Sequence, residues 1–578
     1  MDSAPDRGSD RLNGAVDALA REIAEAGSSE RTRVFHLTWW SERMLDWAMA
    51  HPAFKARLFR FVDVFPACVD EADVMAHLDE YFEGVDVPRA LDLGLGVAAH
   101  VPFGERMSAS VARRNITRMA RQFIAGATPQ EAVPTLEVLW RAGEACTVDL
   151  LGEKTLTRAD AHRYASRVSE MLDVLVEGAR CWPDNSHLES DPWGAVPRVN
   201  ISIKPTALSP LFGPLTRDEG LDEALIALRP TLDRAARAGA TVHLDTEQDE
   251  VKDMTLELVR LIGAEFPHGP QLGCVVQAYR KDSYADLRDL VVWSKDSLMI
   301  PLQIRLVKGA YWDHETIVAE AAGWPVPVFE NKAQTDANYE RCSRFLLDNA
   351  GAVRPAFASH NLRSIAYALA YAHDIGLPDT AMEVQLLYGM AEPTHLALRR
   401  LGRRVRVYAP VGELVPGMSY LVRRLIENTS NESFIRHRYA EGDALDELLA
   451  PPKVGEGDLP DALAEVPISA STSIKDPGEF RPEPLAELRR ATPRTRLAAA
   501  VLHSPEGFGF EVPLVIDGSP VLNRRSSGER IVSVDPGDTK TVVCSSDVAN
   551  VSDVEQAMEV AQRAWPAWRS TSWSERAA

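Results

Sequence analysis

Cysteine is scarce in this chain. Six cysteines are spread over 578 residues, and no two of them form a CxxC pair or share a Cys/His spacing suited to zinc. This spacing argues against a disulfide-stapled secreted scaffold and against a zinc module, and we expect no metal site. Dispersed thiols of this kind are typical of reduced, packed cysteines in a cytoplasmic protein.

Long hydrophobic runs are also missing. No stretch of about 18 uncharged apolar residues occurs, and the polar first residues, MDSAPDRGSDRLNG, lack the apolar core of a signal peptide. The sequence therefore argues against secretion and against a membrane span, and it leaves peripheral membrane contact open.

Positive charge is in deficit. Lys and Arg total 63 against 84 Asp and Glu, which gives a net charge of -21. A chain of this charge is repelled by phosphate backbones, and we find no local basic module, so nucleic acid is not an expected partner. The hydrophobic content of 45% is ordinary for a globular protein, and 578 residues predict two or three domains.

What the chain does contain is a repeat. Eight times between Arg198 and Asn428, a short apolar run rich in β-branched residues is followed by an amphipathic helical run. This alternation is typical of parallel-strand units, and eight units over about 230 residues predict a (β/α)8 barrel of the TIM type, a fold of about 250 residues. The eight runs are NISIK, TVHLD, GCVVQ, LQIRLVK, PVFENK, PAFASH, MEVQLLY and RVRVY.

Polar residues collect where these predicted strands end. The six residues concerned are Lys204, Asp245, Gln277, Arg305, Lys308 and His360. Barrels of this kind carry their chemistry at the carboxyl ends of the strands, so we expect these side chains to share one site. The alternative is that a charged strand end only marks where the chain meets water.

The flanking regions differ from the repeat. Helical periodicity dominates before it, Pro and Gly thicken after it, and alternating strands followed by a helix close the chain. A loose GxGxxA pattern at Gly94, Gly96 and Ala99 has no βαβ unit around it, so we interpret it as small residues packed between helices. The expected organisation is a disordered start (1–12), a helical arm and helical domain (13–190), the barrel (191–440), a linker (441–507) and a truncated α/β fragment (508–578).

The last helix of the repeat has a polar face. Tyr420, Arg423, Arg424 and Glu427 are spaced so that they share one side of this helix. If the helix covers the barrel mouth, the two guanidinium groups and Lys204 form a carboxylate clamp. The alternative is a solvent-facing side with ordinary ion pairs.

The motifs SIKPTAL, DTE, VQAY, RLVKGAYWD, ASHN, VQLLYGM, RVYAPVG and YLVRRLIEN occur in this order. Together they resemble the proline dehydrogenase domain of the bifunctional proline utilization A flavoenzymes, over roughly residues 80 to 440. The resemblance implies FAD-dependent oxidation of L-proline to pyrroline-5-carboxylate, with hydride transfer to flavin N5 and electrons passed on to a membrane quinone. It also implies transient peripheral contact at the inner face of the membrane, and it leaves a homo-oligomer open.

The resemblance assigns residues to two groups. Those implied at the proline site are Lys204, Arg423, Arg424, Glu427, Asp245, Tyr408, Tyr420, Tyr311 and Leu387. Those implied along the flavin are Gln277, Arg305, Val307, Lys308, Gly309, Trp312, Ser359, His360, Asn361 and Gln385. A capping or core role remains the alternative for His360, and a role as interfacial aromatics remains the alternative for Tyr408 and Tyr311.

The residues from 508 onward resemble the opening of an aldehyde dehydrogenase half, on the pieces VIDG, VDPGD and AWPAW. The resemblance implies NAD binding only in a later part of a longer protein, so oxidation of glutamate semialdehyde is not expected of these 578 residues. Two rival functions remain. One is a Schiff-base aldolase or lyase that uses Lys204, Lys308 or Lys332, and the other is a non-catalytic proline-sensing module.

Overall fold

The structure is a computed structural model that describes most of the chain in two units. The described residues are 7–28, five positions between 57 and 68, 71–82, 123–152, 154–413, 445–455, 457–460, 485–503, 507–521 and 530–577. The units are Met1–Leu485 and Ala486–Ala578, and each is treated by itself.

The first unit is built on a closed barrel of eight parallel strands, which confirms the predicted fold. Neighbouring strands pair in parallel all the way around, and the strand Glu144–Leu150 closes the barrel between Val405–Val411 and Asn200–Ile203. The barrel strands are β1 (Glu144–Leu150), β4 (Asn200–Ile203), β5 (Thr241–Leu244), β6 (Gln271–Gln277), β7 (Leu302–Val307), β8 (Val353–Ala358), β9 (Glu383–Leu387) and β10 (Val405–Val411). A small hairpin, β2 (Ser190–Asp191) with β3 (Gly194–Ala195), precedes β4.

Helices precede β1 and connect the strands that follow it. They are α1 (Arg7–Ser28), α2 (Glu71–Phe82), α3 (Pro129–Arg141), α4 (Arg158–Ala179), α5 (Ser186–Glu189), α6 (Arg217–Ala238), α7 (Asp249–Glu265), α8 (Ser283–Ser297), α9 (Trp312–Ala322), α10 (Lys332–Asp348), α11 (Leu362–Asp374), α12 (Glu392–Arg400) and α13 (Leu445–Leu449). Local sequence fixes several ends: Thr157 accepts a hydrogen bond from the Asp160 N–H at the start of α4, and Gly239 ends α6 in the left-handed region. Among the described helices, none combines the length and apolar character needed to cross a bilayer.

The barrel wall separates an apolar shell from a polar interior. In β7, Ile304 and Leu306 are fully buried and alternate with the polar Gln303 and Arg305. Side chains of a strand point alternately to its two faces, so one face of β7 packs on the helices and the other faces the barrel interior. Each aliphatic side chain buried in this way stabilises the fold by about 1.5–3 kcal/mol.

One of the predicted strands is wrong. The run PVFENK forms no strand in the described chain, where Val328 makes a single bridge to Arg280 and Asn331 caps α10. The prolines at 325 and 327 explain this, because neither can donate to a strand ladder. In place of that run, the barrel is completed by β1, the first strand in the sequence. The barrel therefore includes residues from within the region 13–190 that was expected to be helical.

The described part of the second unit contains three helices, a small mixed sheet and a two-stranded sheet. The order in its three-stranded sheet is β11 (Phe510–Val512), β15 (Val542–Asp547) and β14 (Arg530–Val534), with β11 parallel and β14 antiparallel to β15. The remaining elements are α14 (Ala491–His503), β12 (Val515–Ile516), β13 (Ser519–Pro520), α15 (Val551–Ser570) and α16 (Trp573–Ala577). Because α13 and α14 lie within 441–507, the expected linker contains helical structure.

Candidate active site

The structure brings five charged or phenolic side chains together at the carboxyl ends of the strands, which we call the barrel mouth. Asp245 follows β5 and lies at the centre of this group. Its Oδ1 accepts hydrogen bonds from Arg305 Nη1 at 2.9 Å and Ser202 Oγ at 2.6 Å, and its Oδ2 accepts one from the Tyr408 hydroxyl at 2.8 Å. Lys204 Nζ lies 3.9 Å from Asp245 Oδ2.

The fifth member of the group, Asp149, was not predicted. Lys204 Nζ lies 2.6 Å from Asp149 Oδ1, and the Asp149 side chain is fully buried on β1. The strand that carries it was missed, although the alternation of Cys146, Val148 and Leu150 with Thr147 and Asp149 was a usable signal. We call Asp149, Lys204, Asp245, Arg305 and Tyr408 the mouth cluster.

Charge pairing keeps Asp245 and Lys204 ionised. Burial acts to raise the pKa of the Asp245 carboxyl, but Arg305 and then Lys204 outweigh it and hold that pKa below its ordinary value. Burial acts to lower the pKa of the Lys204 ammonium, but Asp149 and Asp245 hold it above its ordinary value. Lys204 is therefore a fixed cation, and its amine is not free to act as a nucleophile.

Buried polar atoms of Asp149 (Oδ2), Arg305 and Gln277 at the mouth meet no hydrogen-bond partner among the residues that the structure describes. Arg305 donates from Nε to Gln385 Oε1 at 2.7 Å, while its Nη2 meets no hydrogen-bond acceptor among the residues that the structure describes. Gln277 donates from Nε2 to the carbonyls of Thr246 and Glu247, each at 3.2 Å. Within the same described residues, its Oε1 meets no donor. Buried groups left in this way cost free energy, so an unpaired donor and an unpaired acceptor here suit a polar ligand.

The segment after β7 leaves the barrel close to the chain that follows β6. Gly309 has φ 133°, and a Cβ atom placed on it would lie 2.4 Å from the Tyr279 ring, so only glycine fits. Lys308 forms an ion pair with Asp336, and burial lowers the pKa of its ammonium. Val307 ends β7 half-buried.

Two aromatic residues begin α9. Tyr311 is the half-buried N-cap residue. Trp312 is 41% exposed and donates from Nε1 to the Phe329 carbonyl at 2.8 Å. The indole is thus tied to the loop before α10 and keeps one face accessible.

The segment after β8 has a defined local structure. Asn361 is the N-cap of α11 and accepts from the Ser364 N–H at 2.9 Å, while Ser359 Oγ accepts from the Asn361 N–H at 3.1 Å. His360 Nε2 accepts from the Leu387 N–H at 3.2 Å, so the imidazole is neutral and carries its proton on Nδ1. These contacts give all three residues a structural role, whatever they bind.

Four of the expected site residues lie outside the described residues: Tyr420, Arg423, Arg424 and Glu427. The same holds for Gly94, Gly96 and Ala99. The arginine clamp therefore stays a prediction. The described mouth cluster carries two cations and two carboxylates, so it is close to neutral without that clamp.

Comparison with known families assigns the barrel. Residues 132–437 match the family model described as proline dehydrogenase, and residues 13–123 match the one described as the proline utilization A N-terminal domain. This chain belongs to the proline dehydrogenase family. The matched range of the proline dehydrogenase family begins before β1, in agreement with a barrel whose first strand is Glu144–Leu150.

Relatives in the proline dehydrogenase family cover different shares of the chain. Bifunctional protein PutA of Escherichia coli (strain K12) is 30% identical over 477 residues, which are 80% of this chain and 34% of that protein. Proline dehydrogenase 1 of Bacillus subtilis (strain 168) is 28% identical over 316 residues, 55% of this chain and 89% of that protein. The chain thus spans about a third of the length of the first relative.

A solved structure is also similar. The crystal structure of proline utilization A from Bdellovibrio bacteriovorus, inactivated by N-propargylglycine, superposes with a TM-score of 0.85 at 36% identity. It covers 97% of this chain and 55% of the other. This likeness supports the barrel fold expected for a member of the proline dehydrogenase family.

Proposed function

We propose that this chain oxidises L-proline to pyrroline-5-carboxylate at the barrel mouth, with bound FAD as the hydride acceptor. Beyond membership of the family, one observation carries the proposal. The structure brings five side chains together there, beside buried polar atoms that a ligand could satisfy: Asp149, Lys204, Asp245, Arg305 and Tyr408.

Proline carries a carboxylate on a saturated ring, and the mouth cluster offers a cation that can bind this carboxylate. Lys204 stays protonated because two carboxylates flank it, so its ammonium can bind the substrate carboxylate. The two described cations are already balanced by Asp149 and Asp245, so an added anion needs further positive charge. Arg423 and Arg424 would supply it.

The other proline-site residues follow from the resemblance. Glu427 would hold the arginines in place, and Tyr408, Tyr420, Tyr311 and Leu387 would surround the ring. Fixing the carboxylate at one end of the substrate orients the carbon that must lose its hydride, which supplies much of the rate enhancement. Asp245 remains ionised but has its oxygens engaged by Arg305 and Tyr408, so it orients its neighbours and need not accept the substrate proton.

The unpaired atoms fit a flavin. Arg305 Nη2 is a donor and Gln277 Oε1 an acceptor, and an isoalloxazine edge offers both complementary groups. Val307, Lys308, Gly309, Trp312, Ser359, His360, Asn361 and Gln385 would line the rest of the cofactor by resemblance. When bound, a flavin supplies a two-electron acceptor for the hydride. Arg305 would place positive charge where negative charge develops.

The proposal extends to the whole protein. Electrons would pass to a membrane quinone during transient peripheral contact of a cytoplasmic protein. The strands and helix of residues 508–578 would open an aldehyde dehydrogenase domain, with NAD bound in a later part. The Schiff-base rival is opposed at Lys204, whose ion pair with Asp149 keeps its amine protonated.

Anaerobic titration of the purified protein with L-proline tests the proposed activity. We expect the yellow flavin absorbance to bleach with L-proline and to respond less to D-proline and hydroxyproline. A colourless protein that borohydride traps on a carbonyl substrate would establish the Schiff-base rival instead. Flavin that stays oxidised with L-proline, with no turnover on a quinone or dye acceptor, would indicate a proline-sensing module.

A further inference from the structure

The interior of the barrel below the mouth is polar. In barrels of this kind the interior layers are mostly branched apolar side chains. Here five polar or charged residues of β4, β5, β7, β9 and β10 are each at most 4% exposed. They are Asn200, His243, Gln303, Glu383 and Arg406. Hydrogen bonds link β4 to β7 and β7 to β9, which are not neighbouring strands, so these side chains meet across the interior.

Glu383 is the residue on which these bonds converge. Its Oε1 accepts from Gln303 Nε2 at 2.8 Å, Gln385 Nε2 at 2.7 Å and Arg406 Nε at 2.8 Å. Burial acts to raise the pKa of the Glu383 carboxyl, but Arg406 outweighs it and holds that pKa below its ordinary value. Glu383 is therefore a carboxylate that can only accept hydrogen bonds.

Because Glu383 can only accept hydrogen bonds, it fixes the orientation of two side-chain amides, those of Gln303 and Gln385. Gln303 must turn its NH2 group to Glu383, so its carbonyl faces Asn200 Nδ2 at 3.2 Å and His243 Nε2 at 3.1 Å. Gln385 must do the same, so its carbonyl faces Arg305 Nε at 2.7 Å. Arg305 can only donate, which requires the same orientation of Gln385 from the opposite side.

We propose that Glu383 is a positioning residue, which holds the Arg305 guanidinium in its working orientation through the Gln385 amide. Asp245 fixes Nη1 of Arg305 and Gln385 fixes Nε. Those two bonds leave Nη2 to meet the cofactor. The inference rests on the proposed function, because Nη2 is where the flavin would bind.

Glu383→Gln tests this role at constant side-chain size. In either orientation the NH2 group of the new amide faces a donor, which is Arg406 Nε beside Oε2 or the three groups beside Oε1. The hold on the Gln385 amide is therefore weakened, and Arg305 Nε loses a rigidly placed acceptor. We expect the rate constant of flavin reduction by L-proline to fall about tenfold or more, with the proline KM within about twofold. A displaced Arg305 guanidinium also stabilises reduced flavin less, relative to oxidised flavin, so the midpoint potential should fall. For a two-electron couple, a tenfold change in the equilibrium constant of flavin reduction corresponds to about 30 mV.

Glu340→Gln is the matched control. Glu340 pairs with Arg363 at 2.8 Å, its side chain is 14% exposed, and the pair lies between α10 and α11. Both substitutions remove the charge of a buried Arg–Glu pair, but we expect only Glu383→Gln to move the flavin potential and the reduction rate. If the two variants have the same potential and the same rate as the unchanged protein, Glu383 has no positioning role.

A double variant keeps the test informative if Glu383→Gln fails to fold. Adding Arg406→Met removes the cation left without its carboxylate, so the new amide can present its carbonyl to Gln303 and Gln385. We expect the potential and the rate to return towards those of the unchanged protein. A folded double variant whose flavin potential stays shifted from that of the unchanged protein overturns the inference. Failure of the unchanged protein to bleach with L-proline would instead overturn the proposed function.

Discussion

Two buried groups of charges lie at the carboxyl end of the barrel, and they differ in the balance of their positive and negative groups. The first is the mouth cluster. The second, which we call the outer network, joins α7, the segment after β6, and α8. It consists of Asp249, Lys252, Arg280, Asp282 and Asp286, and none of these side chains is more than 20% exposed.

In the outer network each cation meets more than one carboxylate. Arg280 lies 2.6 Å from Asp249 and 2.8 Å from Asp282, and Lys252 lies 3.1 Å from Asp282 and 2.8 Å from Asp286. The outer network has three carboxylates for two cations, whereas the mouth cluster has two carboxylates for two cations. Among the described residues, Arg280 Nη1 makes no hydrogen bond of normal geometry but lies 2.6 Å from the Asp249 carboxylate, while Arg305 Nη2 has no acceptor. The difference indicates that the outer network stabilises the loops, whereas the mouth cluster is arranged for a ligand. Substitutions in the two groups should therefore separate stability from activity.

The largest expected effect is on stability in the outer network. Arg280→Met leaves Asp249 and Asp282 buried without their guanidinium, which should lower the free energy of unfolding by about 3–5 kcal/mol. Chemical denaturation measures it. Arg141→Met is the control, because Arg141 is 56% exposed in its pair with Glu137, and removing such a pair should cost less than about 1 kcal/mol. Equal losses of unfolding free energy in the two variants would contradict the stabilising role given to the outer network.

The next effect is on activity in the mouth cluster. Arg305→Met should slow flavin reduction by about 10²–10³, the loss seen when one preorganised donor is removed from a transition state. Single-turnover reduction by L-proline measures it. Arg354→Met, on the neighbouring β8, removes another buried arginine, which lies 2.8 Å from Asp191 away from the mouth. This control should lose stability and keep its reduction rate, and a slow control would mean that any buried arginine affects the rate.

A smaller effect is expected where the two groups meet. Gly309→Ala would place a methyl group against Tyr279, the residue before Arg280, at a φ of 133°. Strain of this kind costs about 1–3 kcal/mol, and we expect weaker flavin retention because the loop after β7 must shift. Gly376→Ala has φ 76° but open space around the added Cβ, so it should cost about 1–2 kcal/mol and retain flavin. Thermal unfolding and the flavin content after gel filtration measure both effects.

The sequence predicted the barrel well because its strand runs are short, β-branched and regularly spaced. It failed at two runs: PVFENK is apolar enough for a strand but carries prolines, and EACTVDL alternates as a strand does but lies among helical segments and was assigned to the helical region. Asp149 was missed with that second strand.

Side chains at strand ends were easier to predict than those inside the barrel. Lys204, Asp245 and Arg305 could be proposed from their positions because such ends face one mouth. Glu383 and Gln303 could not, because a polar residue within a strand gives no sign of which side chain lies across the barrel from it. Long-range partners of this kind depend on how the barrel closes, which a single sequence does not specify.

The smallest expected effect lies in the polar interior beneath the mouth cluster. Burial, then Arg305, lowers the pKa of the fully buried His243 well below its ordinary value, so the folded protein keeps this imidazole neutral. Between that low value and the ordinary pKa near 6.5 the unfolded chain binds one more proton than the folded chain. Stability should therefore fall as the pH drops below about 6.5, by up to about 1.4 kcal/mol per pH unit from this group. His243→Gln, which keeps a donor for Gln303, should lose that share of the slope in denaturation measured from pH 5 to 8. An unchanged slope would mean that His243 is protonated in the folded protein. A protonated imidazole donates from both nitrogens, so the hydrogen bond with Gln303 would then not fix a tautomer.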